Sequence, residues 1–192
     1  MRNAEATRER ILEAAMAEFA AYGIAGARVD RIAKTAGSNK NLIYIYFTDK
    51  ETLFTTVLEQ HLARVYEDVH FTPDDLPGYA LRVFDFAMAH PDLMRLMAWF
   101  ALEQKTESPA KRGAIRDEKI AALMAAQQAG QVGKALPPRF LLTAIMALAT
   151  AWTAANPFGP SLDPEAHKRP AALRHNIARA VRLLSESSRT DI

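Results

Sequence analysis

The chain has 192 residues, 49% of them apolar, which is enough for a buried core and too many for a disordered chain. It contains no cysteine, so disulfides, thiolate metal sites and thiol catalysis are excluded, as expected of a cytoplasmic protein. A net charge of +2 offers no argument from composition for nucleic acid, and the charged N-terminal stretch lacks the apolar centre of a secretory signal.

Helical periodicity runs through nearly every segment, strand alternation is absent, and the fold class read from the sequence is all-α. The first helix is predicted from about Thr7 to Tyr22. Ile11, Leu12, Ala15, Met16 and Phe19 form its apolar stripe, and Gly23 stops it. A short helix follows over about 29–35, with Val29, Ile32 and Ala33 inward, and Ala36-Gly37 breaks it. Another short helix spans about 39–46. Asp49 then caps a long helix from Lys50 to about Val69, and Glu51 suits its positive end. Leu53, Phe54, Val57, Leu58, Leu62, Val65 and Val69 line one face of it. The stretch 71–78, rich in proline and aspartate, reads as a boundary. Beyond it, helices are predicted over Tyr79–Ala89, Pro91–Glu103, Pro109–Ala129, Pro138–Ala155 and Pro164–Glu186, several with proline in the first turn.

Two of these are apolar nearly all round, over 93–102 and 140–155, and are expected to be enclosed by protein. The second carries Ala144, Ala147, Ala149, Ala151 and Ala154, which would let another helix approach closely. Its apolar run, 140–157, is shorter than the roughly 20 residues that span a bilayer.

Three helices in the first fifty residues, the last two short and joined by a glycine turn, describe a helix-turn-helix. The stretch from Gly26 to Lys50 resembles the signature of the tetracycline-repressor (TetR) family. The likeness is carried by Ile32-Ala33, Ala36-Gly37, Ser38-Asn39-Lys40, Tyr44-x-Tyr46-Phe47 and Asp49-Lys50-Glu51, with Phe19-x-x-x-Gly23 closing the helix before them. It is specific over residues 7–55. The resemblance implies a DNA-binding head over 1–50, a connecting helix over about 50–70, and a helical effector-binding and dimerisation domain over 71–192. It also implies a homodimer formed through the last two long helices, about 138–155 and 171–186, on a pseudo-palindromic operator. Ligand binding in the second domain would shift the connecting helix and so change the spacing of the heads.

Chemistry supports the same residues. A recognition helix presents its N-terminal side chains to base edges, where lysine reaches guanine and asparagine pairs with adenine. Ser38, Asn39, Lys40 and Asn41 are the candidate base readers. Tyr44, Tyr46 and Lys50 are candidates for phosphate, with Tyr44 also within reach of a thymine methyl. Phe47 is expected to pack inside, and Lys34 and Arg31 to be solvated or salt-bridged. Three positions depart from the family pattern. Arg28 stands where threonine usually caps the second helix, and is expected to reach a phosphate instead. Asn41 replaces a small residue and adds a possible base contact. Thr48 replaces a common proline, with little expected consequence.

In this family, apolar residues of the second domain line an effector pocket. The candidates are Phe84, Met88, Met97, Trp99, Phe100, Met124 and Trp152, all of which are also natural core residues. Soft methionines suit a small apolar effector. None of the five histidines has ligand spacing, so no metal and no cofactor is expected. No nucleophile–base arrangement or phosphate loop is present, so no catalytic residue is expected. The rival readings are an all-α enzyme or carrier for a small hydrophobic molecule, and a TetR-like activator.

Overall fold

The computed structural model describes residues 2–103 and 110–186. Among these residues there is no strand, and ten α-helices and one 3₁₀ turn make an all-α fold, as the periodicity predicts. In chain order the helices are α1 (Arg2–Gly26), α2 (Val29–Thr35), α3 (Lys40–Phe47), α4 (Lys50–Asp68), α5 (Leu76–Ala89), α6 (Pro91–Glu103), α7 (Ala110–Gln128), α8 (Pro138–Thr150), α9 (Gly159–Leu162) and α10 (Pro170–Ser185). Among the described residues, no helix is long and apolar enough to cross a membrane.

The chain forms two compact units. Of the described residues, the first takes 2–65 and 90–103, and the second takes 66–89 and 110–186. The chain-order division at about residue 70 would place α6 with the later helices, whereas α6 packs along α1. The core of the first unit contains Ile11, Ala15, Phe19, Ile24, Ile32, Ile43, Leu53, Phe54, Val57 and Leu58. Phe19 meets Phe54 edge-on at 5.1 Å, which locks α1 to α4. The second unit centres on α5, which packs against both α8 and α10. Its buried residues are Leu76, Tyr79, Ala80, Val83, Phe84 and Ala87.

Several predicted boundaries are corrected. Helix α5 begins at Leu76 because the Asp75 carboxylate accepts the Gly78 N–H at 2.9 Å, which caps a turn that includes Pro77. Helix α8 ends at Thr150, not at Ala155. The Thr150 hydroxyl donates back to Met146 O and that of Thr153 to Thr150 O, in competition with the helical ladder. The single helix expected from Pro164 is a 3₁₀ turn (Ala166–Lys168) followed by α10, because Pro170 forces Arg169 out of the helical region, to φ −126 and ψ 53. The expected start of α7 at Pro109 lies outside the described residues. Neither α6 nor α8 is enclosed on all sides: Leu93 and Leu96 of α6 are buried but Leu102 is 74% exposed, and Phe140 of α8 is 59% exposed.

Candidate nucleic-acid interface and ligand residues

The head is assembled by side chains that satisfy backbone groups left open at helix ends. Gly23 breaks α1 with φ +69 and ψ −179, a conformation confined almost entirely to glycine. A Cβ there would lie 2.9 Å from the Trp99 indole and closer still to a Glu103 oxygen, so glycine is required on two grounds. The helical turn that restarts after Gly23 exposes fresh N–H groups. The Glu103 carboxylate accepts them, from Ile24 at 2.8 Å and from Ala25 at 3.1 Å, while Trp99 Nε1 donates to Ala20 O at 3.3 Å. The last turn of α6 therefore grips the kink in α1.

Helix α2 lacks a capping side chain, since Arg28 occupies the N-cap with extended backbone. Glu18 of α1 instead accepts the N–H of the N-cap residue itself. One of its oxygens takes the Arg28 N–H and the Arg31 Nε–H, both at 2.8 Å, and Glu18 is 9% exposed. Burial pushes the Glu18 carboxyl up, but the Arg31 guanidinium and the Arg28 amide outweigh it and hold the group below its ordinary value. Helix α2 closes on Gly37 at φ +58, with Ser38 N–H donating to Ala33 O and Gly37 N–H to Lys34 O. This is a Schellman ending, and it turns the chain into α3.

The exposed face of α3 follows a helical repeat: Lys40, Asn41, Tyr44 and Ile45, followed by Thr48. The candidate DNA residues are placed unequally on it. Asn41 is exposed, and so is Tyr44, at 42%. Lys40 is exposed and pairs with Asp30 at 3.0 Å, which raises its pKa. An exposed pair of this kind is weak because solvent screens it, so Lys40 is free to exchange Asp30 for another anion or acceptor. Arg28 is exposed, with no guanidinium hydrogen bond or ion pair among the described residues. Asn39 is the N-cap of α3, and its Oδ1 accepts the Asn41 N–H at 2.6 Å, leaving only the amide donors for DNA. Tyr46 is half-buried with its hydroxyl donating to Ala4 O at 3.3 Å. Lys50 stitches α4 to the α1–α2 link through Ala25 O and Ala27 O at 3.4 and 3.3 Å. Ser38 Oγ is buried without a hydrogen-bond partner, so the expected base contact is not one this conformation offers.

Two further features of α3 escaped the sequence reading. Ile45 is 75% exposed on the polar face, one residue beyond Tyr44 and one turn from Asn41. Thr48 ends α3 at φ +63 and ψ −56, with Asp49 N–H donating to Phe47 O, which is a strained γ-turn. Proline cannot take that φ, so Thr48 carries a backbone consequence that was not expected of it. Asp49 caps α4 as predicted, accepting the Thr52 N–H at 2.7 Å, and its pKa is lowered by that bond.

The seven ligand candidates divide between the units. Met97, Trp99 and Phe100 belong to the first, where Phe100 stacks on Phe54 at 6.3 Å and Trp99 packs at Gly23. Phe84, Met88, Met124 and Trp152 belong to the second. Phe84 is buried, Met88 and Met124 are 39% and 47% exposed, and Trp152 Nε1 is buried without a partner. Among the described residues, no group of three His, Asp or Glu side chains could hold a metal.

Comparison with known proteins covers both units. Residues 11–57 match the family described as bacterial regulatory proteins, tetR family, and residues 75–182 match the tetracyclin repressor-like C-terminal domain. The HTH-type transcriptional repressor SCO4008 of Streptomyces coelicolor is 44% identical over 151 residues, covering 77% of this chain and 79% of that protein. The HTH-type transcriptional repressor NicS of Pseudomonas putida is 33% identical over 137 residues, covering 67% and 65%. The solved structure of the transcriptional regulator SCO4942 from Streptomyces coelicolor superposes with a TM-score of 0.82 at 37% identity, covering 93% of this chain and 98% of that one.

Proposed function

The chain belongs to the TetR family of bacterial transcriptional regulators, and from that premise we propose how its own residues read DNA and answer a ligand. It is a ligand-responsive DNA-binding regulator whose relatives are repressors. The face of α3 is its reading surface. Asn41 and Lys40 contact base edges, and Ile45 packs on a thymine methyl, the apolar group the major groove presents. Arg28, Tyr44 and the amides at the start of α4 hold phosphates, and the Asn39 amide donors add a contact beside the cap. Tyr46 and Lys50 act mainly by fixing α3 and α4 in register. The observation that carries this reading is the exposed row Lys40, Asn41, Tyr44 and Ile45 on a helix whose opposite side, Ile43 and Phe47, is fully buried.

Two copies act together. Helices α8 and α10 leave Phe140, Met146 and Leu183 at 59%, 37% and 68% exposure, an apolar surface suited to a twofold helical bundle. The heads then meet two half-sites of an inverted repeat. A small, largely apolar effector held by the second unit favours the conformation that does not fit DNA, with a coupling of about 1–3 kcal/mol. Chain continuity through α4, which begins in the first unit and ends in the second, provides the path.

In-vitro selection of bound DNA with the full chain tests this reading. The expected product is an inverted repeat bound with affinity that falls steeply as salt rises. A selection that enriches no sequence would refute it.

A further inference from the structure

The second unit contains an open groove of about 340 Å³, at the low end of the roughly 300–1,000 Å³ typical of small-molecule sites. The end of α4 and the following loop form one wall, with Tyr66, Val69 and Phe71. Helix α7 forms the other, with Ile115, Lys119 and Ala122. The lining is apolar and aromatic except for Lys119, Glu118 and His70.

Lys119 is placed unusually for a half-buried lysine. Its ammonium lies 5.2 Å from the Tyr79 ring centroid and 6.0 Å from those of both Tyr66 and Phe71. It donates one hydrogen bond, to the Tyr79 hydroxyl at 3.0 Å, and that hydroxyl faces Met146 Sδ at 3.6 Å. Tyr79 is 1% exposed and Phe71 meets it edge-on at 4.9 Å, so the surroundings of the ammonium are fixed. Among the described residues, no carboxylate lies within ion-pair distance of Lys119, in contrast to Lys40 and Lys168. An ammonium has three donors, and here two have no acceptor among the described residues. Aromatic faces stabilise such a charge but accept no strong hydrogen bond.

We propose that this groove binds a small apolar or aromatic monocarboxylic acid, with its carboxylate on Lys119 and its body against Tyr66, Phe71, Ile115 and Ala122. The charge pattern sets the class. A cation is disfavoured because Lys119 already fills the aromatic enclosure. A dianion is disfavoured because Glu118 lines the same groove, and like charges repel. One carboxylate takes both open donors and gains a charge-assisted bond in a partly dry setting. As the effector site, this assignment rests on the ligand-responsive reading above, but binding itself does not.

The test is calorimetric titration of the full chain, without DNA, using phenylpropionate and octanoate and, for each, the matching neutral amide. One molecule should bind per chain, with the acid at least about tenfold tighter than its amide, since a factor of ten is about 1.4 kcal/mol. Lys119→Gln should abolish that preference, while Lys119→Arg, which keeps the charge, should retain it. No binding by either acid, or an undiminished preference in a folded Lys119→Gln chain, would overturn the site. A mobility shift run in parallel separates the two readings. Loss of acid binding with DNA binding intact refutes the groove alone, whereas failure to bind any DNA refutes the regulator reading and leaves the titration to be judged by itself.

Discussion

The two units differ in how their distant segments are held together. In the first, distant segments are joined by single polar links to backbone groups: Glu18 to Arg28, Glu103 to Ile24 and Ala25, Lys50 to Ala25 and Ala27, and Trp99 to Ala20. Each link meets a backbone group at or near the kink or end of a helix, where the helical ladder is interrupted, and the buried ones are costly to remove. In the second, long helices pack apolar faces, the buried Gln127 amide ties the loop after α7 through Gly133 O and Leu136 O, and the charged pairs, such as Arg174 with Asp85 and Arg169 with Asp163, lie at the surface. A reading head must hold α3 within a fraction of an ångström of its register, and polar links fix direction as well as distance. Packed apolar faces need complementary shape rather than direction, and many apolar residue combinations supply it.

The largest effect should come from Gly23→Ala. The residue sits in a glycine-only region and its new methyl would meet the Trp99 indole and Glu103, so a loss of about 3 kcal/mol or more in unfolding free energy is expected. Chemical denaturation of the full chain checks it. A loss below about 1 kcal/mol would mean that the kink is not enforced. Glu18→Gln should follow, at about 1–3 kcal/mol, because a buried charge-assisted acceptor for two donors is weakened. Since the folded Glu18 carboxyl lies below its ordinary value of 4.5, its contribution is complete above that value and fades as pH falls below it. The variant should therefore show a shallower acid limb than the wild type.

His61 supplies a second pH dependence in the first unit. Burial, then Arg64 and His90, hold its pKa below the ordinary 6.5, so the unfolded chain takes up a proton first. Stability should be full above pH 6.5 and decline on acidification toward the folded value, and His61→Gln should flatten that decline. Ile45→Ala should leave folding intact but weaken binding to the selected DNA by roughly fourfold, the worth of one buried methyl group. Deoxyuridine in place of the contacted thymidine should erase the difference between variant and wild type. A difference that survives the base change would place Ile45 off the thymine. The smallest effect should be that of Arg174→Ala in the second unit. Both partners are exposed by 40% or more, so less than about 1 kcal/mol is expected. A loss comparable to that of Glu18→Gln would erase the contrast between the units.

Legibility in the sequence divides along the same line. The periodic stripe of α1, the glycine turn at Gly37 and the Asp49 cap are local signals, readable within a few residues, and they place the helix-turn-helix. Arg28 marked a missing cap, but the carboxylate that holds the Arg28 amide, Glu18, lies ten residues back and carries no local sign. Glu103 is 79 residues from Ile24, and only the packing of α6 on α1 brings them together. Ile45 was readable in principle, because it falls on the Asn41 face. Its exposure was not, because a surface isoleucine and a core isoleucine look alike in sequence. Ser38 and Tyr46 have suitable chemistry, but their orientation is set by packing against neighbouring elements, which sequence spacing does not encode. In the second unit the cluster of methionines and aromatics indicates apolar composition without geometry, and the three rings around Lys119 come together only through tertiary packing.

The central claim is that the exposed face of α3 reads base sequence. Its most direct test is the affinity of full-chain Asn41→Ala and Lys40→Ala for the selected DNA and for a scrambled duplex of equal length, by mobility shift at fixed salt. Each substitution should cost about 1–3 kcal/mol on the selected site and far less on the scrambled one, with preference relaxed at the base that Asn41 contacts. Wild-type affinity for the selected site in both variants would contradict the account.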